Sequence, residues 1–427
     1  MGQTPRDLEP TRSALHFFGA EVRRRRQERG MSQADLGRLL FVHKDLVRKV
    51  EAAERMPSED LVRHCDRVLD AKGALRWLWP ILERERLLRL SRPAISPAAG
   101  FCSDATDRPV LGWLLASIQN ARRLRSDGEV AELAAGRLRE LRGADHVHGA
   151  GRTYPAVAAV LGHDLDTLIT HAPGIAAGFL ELAGYEAVDL GADALAQRHY
   201  LRALDVVTAC GDRLYGGYLI AVSLAHLALH CGEADQAARL AAAALRGTER
   251  QTSPAVRAAF RTVLARAHAR RGDEAACAAA LLQVEVDLSR SSPADEPAWI
   301  RYFGEADLAD EKAHCFFDLG LHELAQREAA HAVALLEPSR QRRLVIDTAL
   351  HAASLARTRQ VEHACVMARQ AVDHAASVAS FRSAHRITLM MAELQPCADQ
   401  PAVRDLAEYV RTRLPSMVTA KETCRLP

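Results

Sequence analysis

A spacing of small residues that recurs five times between residues 184 and 371 restricts this chain more than any other feature. Ala196 is followed four and seven positions on by Tyr200 and Ala203, and Ala237 by Ala241 and Ala244. Cys277 is followed in the same way by Leu281 and Val284, Ala325 by Ala329 and Ala332, and Ala364 by Ala368 and Ala371. Positions i, i+4 and i+7 share one face of an α-helix, so each triplet reads as the inward stripe of one helix. The anchors stand 41, 40, 48 and 39 residues apart. Five residues before the first four anchors sits a glycine (Gly191, Gly232, Gly272 and Gly320), and in the fifth unit Arg359 takes that place. Glycine there suits the turn that closes a preceding helix, where φ is often positive. Twelve residues before each anchor stands another small residue, Gly184, Ala225, Ala265, Ala313 or Ala352, which lets the two helices of a hairpin approach closely. Each unit is therefore expected to be helix, tight turn, helix, stacked on its neighbours to bury a common core.

An all-α fold follows. Ala, Leu, Arg and Glu dominate and aromatic residues are only 5% of the chain, which favours helix over sheet. The units resemble a tetratricopeptide-type hairpin array over roughly residues 176–375. Their period exceeds the about 34 residues usual there, so loops carry the excess. An irregular Ala-rich α-solenoid is the alternative, and either curves into a superhelix with a concave face. The resemblance implies that the first helix of each hairpin lines that face. Its inward polar candidates are Glu181, Tyr185, His226, His230, Arg266, Arg270, Asp310 and His314. Mixed charge with histidines suits a peptide or small polar effector, or a merely solvated groove. The longest interval carries its extra residues at 293–311, where Trp299, Tyr302 and Phe303 cluster. That segment either lines a pocket or simply packs as a long loop.

Ahead of the array, residues 19–69 show short helices with well-marked ends. A first helix from about Ala14 to Arg29 stops at Gly30. Ser32 caps a second, with Asp35 three residues on as in a capping box. Phe41, Val42 and His43 form a turn, a third helix runs from about Lys44 to Ala52, and Pro57-Ser58 restarts a fourth that ends near Leu69. Leu36, Leu39, Leu40, Leu46, Val47, Val50, Leu61, Val68 and Leu69 can converge on one small core. Residues 73–90 add a helical segment whose Trp77 and Trp79 either make a dimer or interdomain contact or cap that core.

Ser32-Gln33, Ala34-x-Leu36, Val47, Val50-Glu51, Arg55 and Pro57 together resemble the xenobiotic-response-element family of helix-turn-helix repressors, the lambda-repressor type. The resemblance implies that the third helix enters the DNA major groove. It carries base reading to Lys44, Asp45 and Lys49, places His43 and Arg48 near the backbone and Gln33 on a phosphate, and counts Arg55 among the DNA-binding residues. It pairs Arg26 with Glu51 as a structural salt bridge. Independently, lysines can donate to guanine or phosphate, and Asp45 is costly near phosphates unless it accepts from a cytosine amino group. Of the run Arg23 to Arg26, two side chains are expected to reach phosphates. The family usually has glycine where Phe41 and Ala53 stand, and Ser or Thr at His43, which leaves the turn geometry open.

Residues 1–92 carry 20 Lys+Arg against 14 Asp+Glu, and the remainder 36 against 40. A polyanion-binding head on a body that does not bind polyanions fits that asymmetry. The nine cysteines are widely spaced without a Cys-x-x-Cys pair, which argues against a disulfide framework or zinc site. No apolar run is long enough for a membrane span, and the N-terminus lacks a signal-peptide core, so a cytoplasmic protein is expected. No phosphate loop or nucleophile motif proposes an enzyme, cofactor or metal. The expected domains are a disordered tail over 1–12, a helix-turn-helix domain with an extra helix over 13–90, a linker over 91–108, the repeat domain over 109–415, and a tail over 416–427. The resemblance is to Gram-positive regulators, in this Ala- and Arg-rich composition of actinobacterial type, that bind double-stranded DNA as homodimers and sense a peptide or small molecule. The competing reading is a protein–protein adaptor whose helix-turn-helix is vestigial.

Overall fold

The computed structural model describes residues 14–79, 82, 100–116, 128–249 and 251–414. Both expected tails and the linker over 91–99 lie outside the described residues, as do the Trp77 side chain and most of 80–90. Among the described residues the secondary structure is helical throughout, and no helix is long and apolar enough to cross a membrane. The chain divides into two compact units, 98–407 being one and 1–97 with 408–427 the other.

In the first unit, α1 (Ala14–Glu28), α2 (Gln33–Leu39), α3 (Lys44–Glu51) and α4 (Glu59–Val68) surround one apolar core. Leu15, Phe18 and Val22 of α1 meet Leu36 of α2, Val47 and Val50 of α3, and Leu61, Val62 and Cys65 of α4. Trp79 and Leu82 are buried in the same core.

The second unit begins with α5 (Asp104–Leu115), so residues 104–108 of the expected linker are helix, begun by the acidic first-turn residues Asp104 and Asp107. Then come α6 (Gly128–His148), α7 (Ala150–His163) and α8 (Leu165–His171). The hairpins follow. α9 (Pro173–Asp189) pairs with α10 (Asp193–Cys210). α11 (Arg213–Tyr218), a π-helical segment (Leu219–Leu224) and α12 (Ala225–His230) run consecutively and pair with α13 (Ala234–Thr248). α14 (Pro254–Arg270) pairs with α15 (Glu274–Leu288), α16 (Glu305–Asp318) with α17 (His322–Leu335), and α18 (Gln341–Arg357) with α19 (Val361–Ser377). α20 (Phe381–Leu394) packs on α18.

The repeat spacing maps directly onto this packing. All fifteen residues of the five triplets are buried, and so are the five small residues opposite them. A Cβ on Gly184 would lie 2.4 Å from Cε1 of the buried Tyr200, so the α9–α10 contact needs a glycine there. Gly191, Gly232, Gly272 and Gly320 have φ of 68°, 88°, 71° and 77°, and Arg359 in the fifth turn has φ 63°. The turn thus keeps its left-handed geometry even where the side chain disfavours it.

The array does not remain an open curve. The Ala379 N–H donates to the His148 carbonyl at 3.1 Å, and the Gly151 N–H to the Ala379 carbonyl at 3.0 Å. Ser380 Oγ donates to Asp189 at 2.5 Å. Arg342 reaches Asp145 of α6 and Asp189 of α9. The last hairpin is thereby tied to the helices that precede the first, and the concave face becomes the wall of a cavity.

Candidate functional site

In the helix-turn-helix domain the local sequence sets each cap. Ser32 Oγ accepts from the Asp35 N–H at 3.1 Å, and Asp35 accepts from the Ser32 N–H at 2.9 Å. His43, where Ser or Thr is usual, does the hydroxyl's work: Nδ1 accepts from the Asp45 N–H at 3.3 Å and starts α3. Phe41 and Ala53 both have φ of 55°, which explains the glycine usual at those places. Phe41 is also 93% exposed.

On α3, Val47 and Val50 face the core while Lys44, Asp45, Arg48 and Lys49 are exposed, with His43 and Arg55 exposed at its two ends. Arg48 pairs with Glu54 at 3.2 Å. Behind this face Glu51 is fully buried and accepts from Arg26 Nε at 2.6 Å and Nη2 at 2.9 Å. Gln33 Nε2 donates to the same carboxylate at 2.8 Å. The Gln33 amide, expected on a phosphate, is therefore committed at least in part to Glu51. The four arginines of the α1 run are also engaged within the domain. Arg23 donates to the Glu51 carbonyl at 2.9 Å, Arg24 and Arg25 bind Glu21, and Arg26 binds Glu51. Glu21 answers that pairing with a lowered pKa, set first by Arg24.

The repeat domain holds a partly open cavity of about 600 Å³. Tyr185, His226, Arg266, Arg270 and His314 all line it, as do Trp299 and Tyr302 of the long loop. Glu181, His230 and Asp310 line it too. Tyr302 and Tyr218 share a hydroxyl hydrogen bond of 3.1 Å, and Trp299 packs 4.9 Å from Tyr218 and 5.3 Å from Tyr215. The loop around Trp299 thus forms an aromatic wall.

Five arginines of the lining are neutralised inside the fold. Arg142 donates to Glu181 at 2.7 Å, Arg266 to Glu311 at 2.7 Å and Arg270 to Asp318 at 2.7 Å. Arg342 holds Asp145 in a bidentate pair, and Arg343 holds Asp307 at 2.9 Å. His226 joins Glu311 at 3.1 Å. Burial works against the Glu311 charge, but Arg266 and His226 prevail and leave its pKa well below the usual range. Burial, with Arg266 and Arg386 beside it, pushes His314 well below the ordinary histidine value, so it stands neutral.

Sequence patterning found Glu181, Tyr185, His226, His230, Arg266, Arg270, Asp310 and His314, and missed Tyr215, Tyr218 and Glu311 on the same first helices together with the contributions of α6, α18 and α20. The lining also includes Asp145, Arg340, Arg342, Arg343, Arg382, His385 and Arg386. Only the i, i+4 pair Arg382 and Arg386 left a signal, two like charges one turn apart on one helix.

Among solved structures the chain resembles Bacillus thuringiensis PlcR, crystallised with the peptide PapR7 and DNA. Identity is 16%, the match covers 74% of this chain and 94% of that one, and the TM-score of 0.30 is too loose for residue correspondence. No curated protein matches the chain. A helix-turn-helix domain family matches residues 18–79, which take in most of α1, all of α2 to α4 and most of their common core, and the N-terminal part of this chain is a helix-turn-helix domain.

Proposed function

We propose that this chain is a transcriptional regulator of the xenobiotic-response-element type. It reads a DNA half-site with α3, and its repeat domain mediates dimerisation and admits an effector to the cavity. The observation that carries the proposal is α3 itself. Val47 and Val50 anchor it, and Lys44, Asp45, Arg48 and Lys49 stand exposed together on its other side. A helix so presented can enter a major groove, with the lysines donating to guanine edges or phosphates and Asp45 accepting from cytosine. A homodimer would place two such helices on a palindromic site about one helical turn apart. Acting on chromosomal DNA places the protein in the cytoplasm.

Gel shifts on the gene's own upstream DNA test this, comparing the wild type with Lys44→Ala/Lys49→Ala. Sequence-specific binding lost in the variant is expected. Where phosphate contacts are removed, the slope of log affinity against log salt should fall by about 0.9 per contact. Weak binding that ignores both sequence and the two substitutions would instead identify an adaptor with a vestigial head.

A further inference from the structure

The cavity holds more positive charge than its own ion pairs consume. Eight arginines line it; the lining carboxylates are Asp145, Glu181, Asp307, Asp310 and Glu311, and Asp189, Asp318 and Asp347 pair with the same arginines from just outside the lining. Five of those arginines have the acidic partners described above. Arg340, Arg382 and Arg386 form no ion pair with any described residue, and the Arg382 Nε is buried without a hydrogen-bond partner. Arg382 and Arg386 stand one turn apart on α20, where like charges repel. The Arg382 guanidinium lies 5.6 Å from the Tyr185 ring centre, and Arg342 stands 4.7 Å from the same ring. The Arg386 guanidinium has its pKa brought down to about 10 by burial and by the neighbouring Arg266 and Arg382, which outweigh the attraction of Asp310. The histidines around it offer no relief: burial lowers the pKa values of His230, His314 and His385.

Clustered guanidiniums without counter-charge cost stability unless something anionic repays them. A second feature gives the occupant a body. The aromatic wall of Tyr215, Tyr218 and Trp299 lines the same cavity, whose 600 Å³ is in the range of small-molecule sites. We propose that the cavity binds a small organic acid, its carboxylate or phosphate head on Arg382 and Arg386 and its planar apolar part against Trp299, Tyr215 and Tyr218. This specifies the ligand class for the effector role proposed above and rests on that reading only for its consequence at DNA. A guanidinium pair suits either head, because both present the paired oxygens that the guanidinium fork matches.

Titration calorimetry on the full chain, without DNA, tests the site with three probes: naphthylacetate, naphthyl phosphate and the uncharged naphthylethanol. At least one acid is expected to bind about tenfold or more tightly than the alcohol, the scale of one charge-assisted hydrogen bond. Whichever acid binds more tightly identifies the head. Arg382→Gln/Arg386→Gln should erase that preference and leave the alcohol unchanged, whereas Trp299→Ala should weaken all three. Equal binding of acids and alcohol, acid binding indifferent to the two glutamines, or no binding of any probe overturns the proposal. The melting temperature gives an independent check. Unliganded Arg386→Gln should melt no lower than wild type, because an unrepaid charge has been removed; a clear drop would reveal a structural partner and sink the assignment. Operator affinity measured separately with the tighter acid distinguishes the two readings. Acid binding without any change at DNA would leave the site standing and remove its role as effector site.

Discussion

Replacing Glu51 with alanine leaves the Arg26 guanidinium, 8% exposed, without its carboxylate. Glu51 accepts two hydrogen bonds from Arg26 and one from Gln33, so the substitution strands three donors, two of them on the charged guanidinium. Breaking a buried pair in this one-sided way costs about 3–5 kcal/mol. A small helical domain has about 5 kcal/mol to lose, so a 4 kcal/mol penalty would raise its unfolded fraction from about one in 5,000 to about one in six. Hydrogen exchange on the full chain reads this directly. Amides of α1, α2 and α3 should lose about that much protection free energy, while those of the hairpin array keep theirs. Removing both charges with Arg26→Met/Glu51→Leu should restore stability to within about 1 kcal/mol of wild type, because no unpaired charge remains. A Glu51→Ala cost below about 1 kcal/mol, or a double variant as unstable as the single, would falsify the claim that the pair acts through mutual neutralisation.

Gly184→Ala should destabilise the repeat domain by about 1–3 kcal/mol, because the new Cβ meets the ring of buried Tyr200; an unshifted thermal melt would refute it. Gly272 has φ 71° and open space around it, so Gly272→Ala should cost about 1 kcal/mol from backbone strain alone. Arg359 sits at φ 63°, so Arg359→Gly should be neutral or stabilising by up to about 1 kcal/mol, and a measured loss would show that its side chain is needed. Burial, aided by nearby His363, brings the His351 pKa down to about 4. Between about pH 6.5 and that value the unfolded chain takes up a proton that the folded chain refuses. The stability His351 contributes is thus present above about pH 6.5 and lost as pH falls toward 4. Denaturant titrations at about pH 7 and 5 should show His351→Leu losing less stability than wild type; equal losses refute the assignment.

Local physics made much of this molecule legible in the sequence. The capping box at Ser32 and Asp35, the stop at Gly30 and the restart at Ser58 all depend on residues a few positions apart. The buried triplets and their turn residues are local as well, because helical periodicity and left-handed φ are properties of short segments. That Tyr185, His226, Arg266, Arg270 and His314 face inward was implied by the tetratricopeptide resemblance. Gln33 shows where locality ends: its position in α2 was legible, but the acceptor it shares with Arg26 arrives eighteen residues later.

The sequence by itself determined that this chain is a helix-turn-helix head and a stack of helical hairpins, and which positions of each hairpin are buried between its two helices. Only the tertiary structure decided that the stack closes, and which charges are left over once it has. Asp145 and Arg342 are 197 residues apart, and no periodicity couples them. Their pairing, and the lack of a partner for Arg382 and Arg386, depend on how small rotations accumulate from one hairpin to the next. Charge balance in a cavity is a sum over distant elements, so it exists only once those elements have met.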